Sequence, residues 1–219
     1  DFFRDDINQS KVEPFEKCRD ESWTAAINGF RRLMQKYPNG RYFNDARSWL
    51  GYLYRRGGAR AESLAEYYRL LGDPSDRAAR LAAKKSLQVM GHEYDDATLD
   101  KVEKLIGGDR DAAMAYAYHR IYNYAIDDTY QEVTPWCCYG DNKWQQEQDE
   151  KTRVADAQTK GKHELDRIVR FATAMMKRFP QAKLTGGFVL RVAEAQIELQ
   201  NYTDALKSAD KALGLGVSG

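Results

Sequence analysis

Two hundred and nineteen residues, 25.1 kDa, suffice for one large domain or two small ones with a sizeable core. Thirty-four basic against thirty-three acidic side chains leave a formal charge of +1. That balance argues against a nucleic acid held by bulk charge and against a polybasic membrane surface, and no apolar run is long enough to span a bilayer. Sixteen glycines and five prolines are too few for a low-complexity chain. No charged segment followed by an apolar one opens the sequence as a secretory leader would. Charged residues at 31 %, with alanine, leucine and glutamate frequent, favour helices. Fourteen tyrosines and four tryptophans suit half-buried helix packing or a binding face.

The spacing of Trp23, Ala26, Ile27, Phe30, Leu33, Met34 and Tyr37 predicts a first helix with Ser22 as its N-cap, stopped by Tyr37-Pro38-Asn39-Gly40. A second takes Tyr42, Phe43, Ala46, Trp49, Leu50, Leu53 and Tyr54 as its stripe and ends at Gly57-Gly58. A third carries Ala61, Leu64, Ala65, Tyr68 and Leu71, closed by Gly72-Asp73-Pro74. From Pro38 to Pro74 is 36 residues, holding two helices and two short turns: a helical hairpin.

The middle is less regular. Residues 76–90 read as a helix with Ala79, Ala82, Ala83 and Leu87 as small contacts. Asp96 caps a short helix through Val102, Leu105 and Ile106, stopped by Gly107-Gly108. Residues 111–126 form a longer helix in which Tyr116, Tyr118, Tyr122 and Tyr124 cover more than one face, one stripe packed and the other partly exposed. Residues 129–150 break the pattern. Pro135, Trp136, Tyr139 and Trp144 are costly to leave in water, so this loop is expected to fold back or to meet a partner. Residues 145–162 offer only Val154, Ala155 and Ala157 and read as a solvent-facing helix or a mobile linker.

The hairpin design then returns. Leu165, Ile168, Val169, Ala172, Met175, Met176 and Phe179 precede Pro180. Leu184, Phe188, Val192, Ala193, Gln196 and Leu199 follow it. Gln200-Asn201-Tyr202 turns into Ala205, Leu206, Ala209, Ala212 and Leu213, and Gly214 lies 34 residues after Pro180. No segment alternates as a strand would.

The sequence Tyr37-Pro38-Asn39-Gly40-Arg41-Tyr42, then Ala46, Trp49-Leu50-Gly51 and Tyr54, resembles a tetratricopeptide (TPR) repeat. It is most similar to the bacterial envelope group that includes the Tol–Pal-associated periplasmic coordinators and the outer-membrane assembly lipoprotein BamD. In that frame Leu50-Gly51 is the large-then-small pair, Tyr67 and Leu70 take later second-helix positions, and Ser63 stands where alanine is usual. Val192-Ala193, Ala205, Ala209 and Ala212 fit the same frame. The resemblance covers residues 22–91 and 163–216 and implies an all-α fold: a solenoid of about six TPR-like hairpins with one irregular insertion. The expected divisions are 1–128, 129–162 and 163–219, all within one continuous solenoid. It also implies a periplasmic or outer-membrane-associated protein, with any lipid anchor outside this chain.

TPR-type proteins line a concave groove with the first helix of each pair. The register places Asp45, Ser48, Tyr52, Arg55 and Arg56 on that face, where Tyr52 stacks or donates and the two arginines fork onto a carboxylate. In the last unit Leu190, Glu194, Ile197 and Glu198 take equivalent places, an acidic and apolar end. Trp136 and Tyr139 join them as candidate partner contacts. The expected ligand is a protein or peptide segment, and the expected function a non-catalytic interaction scaffold.

Chemistry finds little support. Cys18, Cys137 and Cys138 are an odd count, adjacent cysteines rarely bond, and a bond from Cys18 to one of the pair needs an oxidising compartment. No metal-ligand spacing links them to His119 or His163, so neither metal nor cofactor is expected. His92, His119 and His163 are scattered, no HExxH, GxSxG, Walker or GxGxxG pattern occurs, and Asp127-Asp128 point apart on a helix. The chain is not expected to be an enzyme. The ending at residues 213–219 carries no polar capping helix. That favours a second reading, the helical scaffold of a larger enzyme, such as a peptidoglycan-cleaving transglycosylase, with its catalytic domain outside this chain. A third is a cytosolic adaptor.

Overall fold

A computed structural model describes the backbone of residues 12–90, 94–130, 143–180 and 184–216, and the side chains within 21–90, 94–122, 161–180 and 184–216. The side chains of Cys18, His92, Tyr124, Trp136, Cys137, Cys138, Tyr139 and Trp144, on which several expectations rest, lie outside the described residues. The described residues form helices and no strand: the fold is all-α. Contacts divide the chain into two compact units, Asp1–Ala115 and Tyr116–Gly219. The expected boundaries at 128 and 162 fall inside helices.

In the first unit, α1 (Val12–Lys36) packs on α2 (Phe43–Arg56). It starts ten residues before the expected helix, so Ser22 lies inside it and is no cap. Pro14 sits in its first turn, where a missing N–H breaks no intrahelical bond. Helix α3 (Arg60–Gly72) forms the centre of the unit: Ser63, Leu64, Tyr67, Tyr68 and Leu70 are all buried, and it packs on α2, on α4 (Arg77–Met90) and on α5 (Asp96–Ile106). Two contacts fix the approach of α2 to α3. A Cβ added at Gly51 would stand 2.9 Å from the Tyr67 ring, and the Ser63 hydroxyl donates to the Gly51 carbonyl at 2.7 Å. Gly72 plays the same part at the end of α3, where a side chain would run into the backbone of Asp111 and Ala112.

Several expected core positions are open to solvent. Tyr37, Tyr42 and Trp49 are more than half exposed, and Leu33 and Leu105 are exposed as well. Tyr37 and Tyr42 lie in the turn between α1 and α2, one residue outside each helix, and Leu33, Trp49 and Leu105 are on open sides of theirs. Ala82 is exposed, and Ala83 and Leu87 carry the α4 contact. Asp95, not Asp96, caps α5, because its carboxylate accepts the Thr98 N–H at 2.6 Å.

Helix α6 (Arg110–Tyr130) runs from the first unit into the second. Helix α7 (Lys143–Arg178) carries residues 145–162 as helix, continuous with the apolar segment after them. Its buried residues Leu165, Ile168, Phe171, Ala172, Met175 and Met176 form much of the second core. Tyr116 is fully buried edge-on to Phe171, with ring centroids 4.9 Å apart, and Arg120 is buried beside Glu164. Tyr118 stacks on Phe188 at 4.0 Å while Tyr122, four residues on and on the same stripe, is exposed, so that stripe is partly open; of the other stripe Tyr116 is packed and Tyr124 lies outside the described side chains. The Tyr118 hydroxyl also meets Thr185 Oγ1 at 2.8 Å, and Thr185 in turn caps α8 (Gly186–Glu198). Helix α9 (Tyr202–Gly214) packs on α8 through Ala205 and Ala212.

The two units share a hairpin at an offset of 142 residues. Leu50-Gly51 corresponds to Val192-Ala193, and Ser63 to Ala205. The turn between α2 and α3 bonds Gly58 N–H to Arg55 O at 3.2 Å and Ala59 N–H to Tyr54 O at 2.8 Å. The turn between α8 and α9 bonds Gln200 N–H to Ile197 O and Asn201 N–H to Gln196 O, both at 2.8 Å. Gly58 and Gln200 are both left-handed, at φ 78° and 59°. This is one helix-ending motif used twice.

Candidate functional site: an exposed aromatic and basic face on α2

Residues three and four apart on a helix share a face, so Asp45, Ser48, Tyr52 and Arg55–Arg56 line up along α2. Asp45, Tyr52, Arg55 and Arg56 are exposed and Ser48 is half-buried. The opposite side, Ala46, Leu50 and Tyr54, is buried. Trp49 belongs to the same exposed face, four residues after Asp45 and three before Tyr52, and not to the apolar stripe in which it was expected. It is 55 % exposed and meets Tyr52, itself 45 % exposed, edge-on at 5.8 Å. The signal for it was size: a tryptophan beside Leu50-Gly51 is too large to enter the tight α2–α3 contact.

Arg55 and Arg56 close the helix, where cations favour the negative end of the helix dipole. Among the described residues no carboxylate pairs with either. Beneath them the Tyr67 hydroxyl bonds to Ser86 of α4. Burial pushes its pKa up, and the nearby Arg55 charge acts against that rise. The face therefore presents two rings and two guanidinium groups that no described carboxylate pairs, on a packed helix.

In the second unit Glu194 is half-buried and bound to Arg191 at 2.7 Å, and Glu198 is exposed. Leu190 and Ile197 are exposed beside them. Trp136 and Tyr139 lie outside the described residues.

Sequence reasoning passed over a cleft of about 320 Å³ among α1, α2, α3 and α5, lined by Arg31, Met34, Gln35, Leu50, Tyr54, Glu62, Ala65, Glu66, Arg69 and Leu105. It was legible only as charges at Glu62, Glu66 and Arg69, one face of α3. Those charges are already matched: Glu66 meets Arg69 at 2.5 Å and Arg47 at 3.3 Å, and Glu62 meets Lys101 at 2.5 Å. Arg69 also donates to the Leu105 carbonyl at 2.8 Å.

Among the described residues no three histidine, cysteine or carboxylate groups gather as a metal site, and no helix is long and apolar enough to cross a membrane. No family model, curated protein or solved structure matches the chain.

Proposed function

We propose that the chain is a non-catalytic scaffold that binds a segment of a partner protein on the Trp49–Tyr52–Arg55–Arg56 face of α2. The observation that carries this reading is the exposure of those four side chains together, with both arginines unpaired by any described residue. Tryptophan, tyrosine and arginine are the residue types that dominate binding energy at protein interfaces. The rings offer apolar area at small entropic cost, and the guanidinium groups bind carboxylates or carbonyls in forked geometry. The helix beneath is held by the Gly51–Tyr67 and Ser63–Gly51 contacts, so the face needs no ordering on binding. The TPR-like sequence from Tyr37 to Tyr54 supports placing this scaffold in a bacterial cell envelope, in the periplasm or at the outer membrane.

The test is a crosslinked pull-down from native envelope extract, comparing the wild type with the Tyr52→Ala/Arg55→Ala/Arg56→Ala variant. All three side chains are exposed, so the variant keeps its helical content and melting temperature. A discrete partner is expected whose recovery falls more than about tenfold, the loss of roughly 1.4 kcal/mol or more. Undiminished recovery places binding elsewhere on the chain. No partner in either sample favours the scaffold of a larger enzyme instead.

A further inference from the structure

Helix α4 packs on α3 beside α2, touches α2 and runs in the same direction. Near the start of both, Asn44 of α2 donates to Asp76, the residue before α4, at 3.2 Å. Further along, the Ser63 hydroxyl that donates to the Gly51 carbonyl of α2 stands 3.7 Å from the Met90 sulfur of α4. There too the Tyr67 hydroxyl bonds to Ser86 of α4, with the Arg55 charge close by. The C-terminal halves of α2 and α4 are therefore neighbours.

The charges on these halves are of one sign. Helix α4 carries Arg77, Arg80, Lys84 and Lys85 and no acidic residue. Lys84 and Lys85 directly precede Ser86 and are exposed, as are Arg55 and Arg56. Among the described residues no carboxylate pairs with any of these four. Half-buried Arg80 adds to the imbalance, because its Nε finds no hydrogen-bond partner among the described residues. Uncompensated like charges on two packed helices repel one another, and a bound anion removes that repulsion. Apolar area stands beside them: Tyr52, three residues before Arg55, is 45 % exposed, and Val89, four residues after Lys85, is 68 % exposed.

This combination selects among anionic partners. A nucleic acid or an anionic lipid surface presents phosphates along its whole extent, and would also meet Asp45, exposed further back on the Tyr52 face of α2. The net charge of +1 supplies no wider field to hold either. A short run of carboxylates in a protein ends before Asp45, engages the guanidinium groups in forked geometry and sets an apolar side chain against Tyr52 and Val89.

We propose that Arg55 and Arg56 of α2 and Lys84 and Lys85 of α4 form one receptor for an acidic segment of a partner protein, with aspartate or glutamate clustered beside an apolar side chain. The inference rests on the partner-binding reading of the α2 face, extends it across to α4 and names the chemistry of the bound segment.

Fluorescence anisotropy of the full chain with a short fluorescein-labelled glutamate peptide carrying one central leucine tests this at low ionic strength. Saturable binding is expected, and none to the matching lysine peptide. Lys84→Glu/Lys85→Glu is expected to weaken it more than about tenfold, since two attractive charges become repulsive. Lys177→Glu/Lys211→Glu, at two exposed positions in the other unit and with the same change in net charge, is expected to bind as the wild type does. Both variants replace exposed side chains and are expected to keep the circular dichroism and melting temperature. Absence of glutamate-peptide binding overturns the proposal, as does binding that survives Lys84→Glu/Lys85→Glu. Tighter binding of single-stranded DNA or of phosphatidylglycerol vesicles through the same lysines overturns it as well. In the native pull-down, Lys84→Glu/Lys85→Glu is expected to lose the same partner that Tyr52→Ala/Arg55→Ala/Arg56→Ala loses. A partner lost only with the α2 variant removes α4 from the site, which overturns this inference while the α2 reading stands.

Discussion

Gly51 and Ser63 decide how closely α2 and α3 approach, and both act through missing bulk. Gly51 leaves room for the Tyr67 ring, and Ser63 is short enough to sit against the α2 backbone and donate to it. Gly51→Leu is expected to destabilise the protein by about 1–3 kcal/mol, read from denaturant unfolding, because Tyr67 is buried and has nowhere to move. Ser63→Ala removes the hydrogen bond without adding volume and is expected to cost only about 1 kcal/mol. A different cluster contributes to the acid behaviour. The Asn44 amide donates to Asp73 at 2.9 Å and to Asp76 at 3.2 Å. Both carboxyls are held below their ordinary range, Asp73 first by the Ser75 hydroxyl and Asp76 first by the Ala79 N–H, with Asn44 adding to each. A lowered folded pKa gives stability that is present above the ordinary aspartate value of about 3.9 and is lost as pH falls through the folded values. Asn44→Ala is therefore expected to lower the melting temperature at neutral pH, with the difference from wild type closing in acid. The glycine was readable from the large-then-small spacing. Asn44 was not, since its partners lie 29 and 32 residues away and no local pattern announces them.

At the level of elements, the α2–α3 and α8–α9 turns solve one geometric problem with different residues. Gly58 adopts the left-handed conformation without penalty, whereas Gln200 carries a Cβ into it. Gln200→Gly is expected to raise stability by about 0.5–1 kcal/mol, and Gly58→Ala to lower it by about 1 kcal/mol, both seen as shifts in the denaturant midpoint at constant slope. The existence of the helices followed from apolar spacing, which is strong where a helix packs on one side. Their ends did not. Ser22 has the chemistry of a cap, but the helix reaches it from upstream and solvates the hydroxyl, and the informative residue was Pro14 in the first turn. Asp95 and Asp96 are equally able to cap, and only the backbone path decides that Asp95 reaches Thr98. The polar stretch before Leu165 has no apolar stripe to read, and it is helical because no proline interrupts it and the packed segment that follows extends it.

For the molecule as a whole, the charge of +1 leaves little long-range field, so electrostatics act only where charges stand unpaired. Raising ionic strength from about 0.1 M to about 1 M shortens the screening length from about 10 Å to about 3 Å. Partner recovery through Arg55 and Arg56 is expected to fall several-fold over that range. The same pull-down, repeated in salt, reads the charged contribution of the face. Of the α2 face, the polar and charged members were legible because three-and-four spacing set them opposite Ala46 and Leu50. Trp49 has the same spacing from Asp45 and Tyr52 but was grouped with the core because it is a large apolar side chain.

The duplicated turn makes the hairpin an exchangeable part. The residue before the left-handed position has φ −82° and ψ 4° in one copy and φ −78° and ψ 2° in the other, and the residue after it φ −80°, ψ 67° and φ −91°, ψ 64°. A chain cut and rejoined between corresponding points of the two turns would enter each following helix at the same angle. The 142-residue frame thus marks where this protein tolerates recombination: whole helices can be traded across it, while a shift of one residue would turn Ser63 or Ala205 away from the helix it was shaped to meet.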